Sequence, residues 1–137
     1  MNGIREALLV LADAGQIHQA VINLLTNAAD AVAIQGGEIM VRLEAVEADE
    51  ALLKQETELH SGLYARVSII DNGIGMDALT LQRIFDPFFT TKAVGRGTGL
   101  GLAIVHGIMK GHDGVVTVQS KVSEGTCFDL YFPLMDE

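Results

Sequence analysis

The chain has one cysteine, nine cations among 137 residues, and no long apolar run. Each scarcity excludes something. A lone Cys127 cannot close an internal disulfide, so the fold must rest on its own core, and a reducing, cytoplasmic setting is expected. Nine scattered Lys and Arg within a net charge of −9 form no basic stripe, so a nucleic-acid partner is not expected. No stretch approaches the roughly 18 apolar residues of a membrane span, so no direct membrane insertion is expected either. The opening Met1-Asn2-Gly3-Ile4-Arg5 lacks the basic and apolar regions of a secretory signal. Acidity does not exclude a nucleotide, because backbone N–H groups and a metal ion can hold a triphosphate without marking the net charge. The length suits one domain, 1–137, able to bury about two-thirds of the surface its unfolded chain exposes.

Hydrophobic periodicity orders what is present. Residues 1–15 are apolar and Ala-rich and suit either a strand or a helical linker. From Gln16, apolar residues at Ile17, Ala20, Val21, Leu24, Leu25, Ala28, Ala31 and Val32 follow the spacing of one helix face, which stops at Gly36-Gly37. Glu38 to Val46 alternates as a half-buried strand, with Ile39, Val41 and Leu43 on one side. Residues 47–62 carry Glu47, Asp49, Glu50, Lys54, Glu56 and Glu58 and read as a solvated acidic excursion, helical in part. Leu63 to Ile70 resumes a strand and delivers Asp71 at its end. Asp77 to Phe85 suits a short helix ended by Pro87, and Leu100 to Lys110 a longer one closed by Gly111. Gly114 to Ser120 and Gly125 to Pro133 complete an antiparallel pair. The expected fold is α+β, a two-layer sandwich whose mixed, mostly antiparallel sheet is covered on one face by helices.

Polar residues interrupt this pattern at a few places. Asn23, Asn27 and Asp30 form one stripe beside the apolar face of the first helix. Asp71 ends a strand and opens Asp71-Asn72-Gly73-Ile74-Gly75-Met76. That string suits a turn, and it also suits a base pocket, since a carboxylate accepts hydrogen bonds and the exocyclic amine of adenine donates them. Gly73 and Gly75 would allow the backbone to approach a purine ring. Phe85, Phe88 and Phe89 gather around Pro87, either as core or as a plug at the base of a mobile segment. Gly95, Gly97, Gly99 and Gly101 alternate into a helix, a layout that can present N–H groups to phosphate. No Gly-x-x-x-x-Gly-Lys-Ser/Thr string occurs, which excludes a P-loop. Gly73 to Ala78 fits the dinucleotide fingerprint, but Asp71 and Asp77 would repel a pyrophosphate there. The four histidines show no metal-ligand spacing.

Taken together, Asn23-Leu24-Leu25-Thr26-Asn27-Ala28, the Asp71 string, Ile84 through Lys92 and Gly95 through Gly101 closely resemble the ATP-binding domain of sensor histidine kinases. That domain shares its fold with DNA gyrase, heat-shock chaperone ATPases and mismatch-repair ATPases. The resemblance implies Mg-ATP as cofactor, with Asn27 as the protein ligand to Mg²⁺ and Asn23 and Asp30 beside it. It implies Asp71, Gly73, Gly75 and Met76 at the adenine, with Thr126 joining through water. Phe88 would sit at the base of an ATP lid spanning 90–99. Lys92 and Arg96 become candidates for the β- and γ-phosphates, and Gly97, Thr98, Gly99, Leu100 and Gly101 would line them. The phosphorylated histidine of that family lies in a separate dimerisation domain, so the chain is expected to be the catalytic half of a kinase. It would act as a monomer on a partner histidine and, through it, serve a response regulator. Asn23 departs from the gyrase and chaperone relatives, which place a water-activating glutamate there, and an amide cannot take that proton.

Overall fold

In a computed structural model, residues 14–33, 36–56, 59–89 and 100–134 are described. They form, in chain order, α1 (Ala14–Ala33), β1 (Ile39–Glu47), α2 (Glu50–Gln55), β2 (Leu63–Asp71), α3 (Ala78–Leu81), α4 (Gly101–Gly111), β3 (Val115–Lys121) and β4 (Gly125–Pro133). The strands make one sheet in the order β1-β2-β4-β3. Its three described pairings are all antiparallel, with Val41 opposite Ile69, Ile69 opposite Phe128 and Phe128 opposite Val118.

Alternation along the two central strands gives the sheet two working faces. On one, Ala65 and Ile69 from β2 and Phe128, Leu130 and Phe132 from β4 meet Ala20, Leu24 and Ala28 from α1 and Val105 and Met109 from α4. The α1 contributors recur every four residues, so they share a face and bury together. The aromatic cluster divides here. Phe85 and Phe89 pack against this core, and Phe85 stacks on His106 at 5.4 Å and edges onto Phe128 at 6.5 Å. Phe88 is 72% exposed.

The opposite face is not bare. The stretch read from sequence as a solvated acidic excursion, helical in part, does contain the helix α2, but Ala48 before it and Leu59 after it are buried. They join Tyr64, Val115 and Tyr131 in a second cluster, flanked by Val46, Leu52 and Leu53. Asp49 caps α2 by accepting a hydrogen bond from the Leu52 N–H at 2.9 Å. The ends of the segment are tied by the Ala48 N–H donating to the Gly62 carbonyl. The Tyr64 hydroxyl accepts from the His60 N–H and donates to the His60 carbonyl.

Two further expectations change in the structure. β1 is more open than its alternation suggests, with Val41 52% and Leu43 62% exposed, because the helix layer lies over β2, β4 and β3 and leaves β1, at one edge of the described sheet, beyond its reach. The helix expected over Asp77 to Phe85 is only the four residues of α3, followed by turns.

A candidate nucleotide site at the end of the sheet

The site grows from one end of the sheet, where β2 finishes and β4 starts. Asp71 and Thr126 are opposite one another in the register and both are buried. The Asp71 carboxylate accepts the Gly73 N–H at 2.8 Å and a backbone N–H from Thr126. Burial nevertheless wins over these bonds and holds the Asp71 carboxyl above the usual carboxylate range. A partly desolvated acceptor of this kind gains from a ligand that brings donors to it.

The Asp71–Met76 loop is stitched to three neighbours. The Asn72 side chain accepts from the Glu38 N–H, and its own N–H donates to the Glu38 carbonyl. The Ile74 N–H donates to the Ala31 carbonyl of α1, and the Ile74 carbonyl accepts from the Ser123 N–H of the β3–β4 turn. The Met76 N–H donates to Ser120 Oγ at 2.8 Å. The glycines acquire a reason other than room for a purine. A Cβ at Gly73 would stand 2.5 Å from the Ala31 carbonyl oxygen, and one at Gly75 would overlap the Lys121 carbonyl. Gly75 also has a φ of +70°, so both space and backbone conformation require glycine there.

α1 carries the polar stripe past this loop. Asn23 is engaged at both ends of its amide, accepting from Gln19 Nε2 at 2.7 Å and donating to the Gly101 carbonyl at 3.1 Å. It thereby fixes α1 to the start of α4. Asn27 is half-buried one turn further on, between Asn23 and Ala31, so it lies between the two points where α1 is anchored to the site. Asp30 is exposed. Leu100 precedes α4 half-buried, and its carbonyl accepts from the Ile104 N–H. Phe88 adopts a φ of +70°, outside the ordinary range of a residue with a Cβ. Lys92, Arg96, Gly97, Thr98 and Gly99, with the rest of the 90–99 segment, lie outside the described residues.

The arrangement disposes of the dinucleotide alternative. α3 has four residues, and its N-terminus is capped by the Asp77 carboxylate accepting from the Thr80 N–H, which lowers the Asp77 carboxyl. A pyrophosphate would find no helix of useful length there, and it would meet the Asp77 carboxylate at the N-terminus. Metal chemistry has a similar constraint. No group of three or more His, Cys, Asp or Glu among the described residues could hold a metal ion. A cation that takes one protein oxygen and completes its shell with phosphate oxygens and water, as Mg²⁺ does, fits this donor set.

Ser120 and Gln19 are the polar residues that sequence reasoning missed. A serine inside a strand and a glutamine on an exposed helix turn have no pattern to announce them.

Comparison with known proteins covers almost the same span. The family described as histidine kinase-, DNA gyrase B-, and HSP90-like ATPase matches residues 12–136. Sensor kinase CckA of Brucella abortus is 41% identical over 97% of this chain and 14% of its own length. Sensor histidine kinase ZraS of Escherichia coli K12 is 38% identical over 91% of this chain and 23% of its own. The chain thus spans less than a quarter of either relative. Among solved structures, a mycobacterial sensor histidine kinase, MprB, superposes with a TM-score of 0.72 at 27% identity, covering 93% of this chain and 78% of that one. Full-length ShkA in complex with AMPPNP superposes with a TM-score of 0.73 at 26% identity, over 96% of this chain and 24% of that one.

Proposed function

Because the chain belongs to the histidine kinase-, DNA gyrase B-, and HSP90-like ATPase family, we propose that it binds Mg-ATP and passes the γ-phosphoryl group to a histidine on a separate dimerisation domain. The observation that carries this reading is the state of Asn23. The alternative reading, an ATP-hydrolysing conformational clamp of the gyrase and chaperone type, needs a base at that position of α1. Here an amide stands there, and its oxygen and nitrogen are already committed to Gln19 and Gly101. An amide has no useful basicity near neutral pH. What the domain contributes is therefore positioning and charge neutralisation, which is most of what phosphoryl transfer asks of a nucleotide domain.

In this reading the Asp71 carboxylate accepts the exocyclic amine of adenine, and Thr126 joins it through water. Asn27 supplies an amide oxygen to Mg²⁺, with Asn23 and Asp30 on the same stripe, and the ion neutralises phosphate charge when bound. Asn23 keeps the start of α4, with Leu100 and Gly101, in place beside the phosphates. Phe88 anchors a lid whose Lys92 and Arg96 meet the β- and γ-phosphates. The nucleophile comes from a phosphoacceptor domain, which in turn serves a response regulator in the cytoplasm. The names of the sensor kinases it resembles and the nucleotide analogue in one solved relative support this assignment.

Mixing the chain with γ-labelled ATP and a dimerisation domain of matching type tests it. Label should appear on the partner, stable to alkali and labile to acid as a phosphoramidate is, while the chain alone hydrolyses ATP very slowly and stays unlabelled. Brisk turnover by the chain alone, undiminished in Asn23→Ala, would favour the clamp. Calorimetry in magnesium and in chelator checks the ligand: Asn27→Ala should weaken Mg-ATP binding and leave metal-free ADP binding much less changed.

A further inference from the structure

Ser120 sits where the base loop, the β3–β4 hairpin and Thr126 meet. Three hydrogen-bonding contacts converge on its one hydroxyl. The Met76 N–H donates to Oγ at 2.8 Å, Oγ donates to the Gly125 carbonyl at 2.9 Å, and Thr126 Oγ1 lies 2.8 Å away.

A serine hydroxyl has one proton and two acceptor lone pairs. The Gly125 carbonyl can only accept, so the Ser120 proton belongs to it. Met76 occupies one lone pair. The contact with Thr126 is then a bond only if Thr126 donates into the second. The reverse assignment would set two oxygens facing each other at 2.9 Å with no proton between them. With its proton directed to Ser120, Thr126 has only lone pairs left for the pocket. Its cross-strand neighbour there is the Asp71 carboxylate, itself an acceptor.

We propose that Ser120 is a specificity-determining positioning residue: by taking up the Thr126 proton it makes the base end of the pocket acceptor-only, which selects purines bearing an exocyclic amine over 6-oxo purines. The inference rests on the reading of this pocket as the nucleotide-base site. It assigns the discrimination to a pair of hydroxyls as well as to one carboxylate, and it gives Ser120 a second duty, holding the Met76 end of the loop against the hairpin.

ATP and inosine triphosphate differ at this edge, where the latter has an oxygen in place of the amine, so the ratio of their dissociation constants is the readout. The wild-type chain should prefer ATP. Ser120→Ala frees the Thr126 proton to turn toward a 6-oxo group, and the preference should fall by about tenfold, the worth of one hydrogen bond. Ser120→Thr, which keeps a hydroxyl, should retain the preference. In a Thr126→Val background Ser120→Ala should change the ratio no further, since the two act through one proton. Should Ser120→Ala fail to fold by circular dichroism, Ser120→Cys gives a weaker donor and acceptor of similar size, and the same loss of preference is expected. An unchanged ratio in folded Ser120→Ala or Ser120→Cys, a lost preference in folded Ser120→Thr, or an effect of Ser120→Ala that persists in Thr126→Val, overturns the inference while leaving the nucleotide reading standing. A wild-type chain that binds neither nucleotide overturns both.

Discussion

The two faces of the sheet draw on the same strands and do different work. β2 and β4 send Ala65, Ile69, Phe128, Leu130 and Phe132 to the helix side, and Tyr64, Arg66, Ser68, Asp129 and Tyr131 to the other. The helix side is continuous and apolar until the sheet ends, and there it presents Asp71 and Thr126. The far side is patched. The Tyr64–Tyr131 pair meets edge-on at 6.1 Å under the α2 segment, and the rest is an ion pair from Arg66 to Glu44 with Ser68 donating to Asp129. Where one face is a complete core, its polar residues are displaced to the rim of the sheet. Where the cover is partial, polar residues stay mid-strand and pair with one another, Arg66 with Glu44 and Ser68 with Asp129, although Arg66 Nε is left buried without a partner.

The largest test of this contrast is truncation on each side. Leu130→Ala should lower stability by about 3–5 kcal/mol in urea unfolding, since the side chain is wholly buried among helices and strands. Leu59→Ala, in the far-side cluster, should cost about 2 kcal/mol or less, because a short segment can settle into the space. Equal costs would make the α2 segment part of one indivisible core.

Asp71→Asn separates stability from binding. ATP affinity should fall by about 10- to 100-fold with the loss of the acceptor, and discrimination against GTP should fall with it. The unliganded fold should not suffer. A carboxyl held above its unfolded value contributes most below the ordinary carboxylate range and loses that contribution as pH rises through its folded value. The variant escapes this loss, so its melting temperature should gain on the parent as pH rises and meet it again in acid. A parallel loss of stability and affinity would make Asp71 a structural residue like those of the far face.

Smaller effects belong to the far side. The Arg66 hydrogen bond holds the Glu44 carboxyl below its usual range, so the pair's contribution is present above that range and fades as pH falls through the lowered value. Both partners are partly exposed, so Glu44→Gln should cost under about 1 kcal/mol and less still in high salt. Smallest of all should be Cys127→Ala on nucleotide affinity. Burial and the nearby Asp129 carboxylate push the Cys127 thiol up to about 11, so alkylation at neutral pH should be slow and should leave ATP binding unchanged.

Most of the helix side was legible in the sequence because its period is long and sustained. The Ala20-Leu24-Ala28 spacing and the Gly125–Pro133 alternation each appear as strand or helix within a residue or two of their bounds. The far side was not legible. Ala48 and Leu59 are single apolar residues at the two ends of an acidic stretch, and no local period links them to Tyr64 or Val115. Ser68 lies on the side of β2 opposite Ala65 and Ile69, yet it is 1% exposed, set between Arg42 of β1 and Asp129 of β4 and donating to the latter. At the site, Asp71 and Asn23 were conspicuous because each breaks an apolar pattern. Ser120 breaks none, and only its three partners reveal it.

The glycines of the base loop bear on how such domains are read across evolution. Gly73 and Gly75 are barred from a side chain by Ala31 and Lys121, and Gly125 by the backbone of Asp71 and Asn72. These constraints come from the protein's own chain and persist whether or not a nucleotide ever arrives. A descendant that abandoned ATP would still need all three to fold, while Asp71, Asn27 and Thr126 would be free to drift. Retained glycines therefore certify ancestry, and under the proposed function it is the polar residues beside them that certify activity.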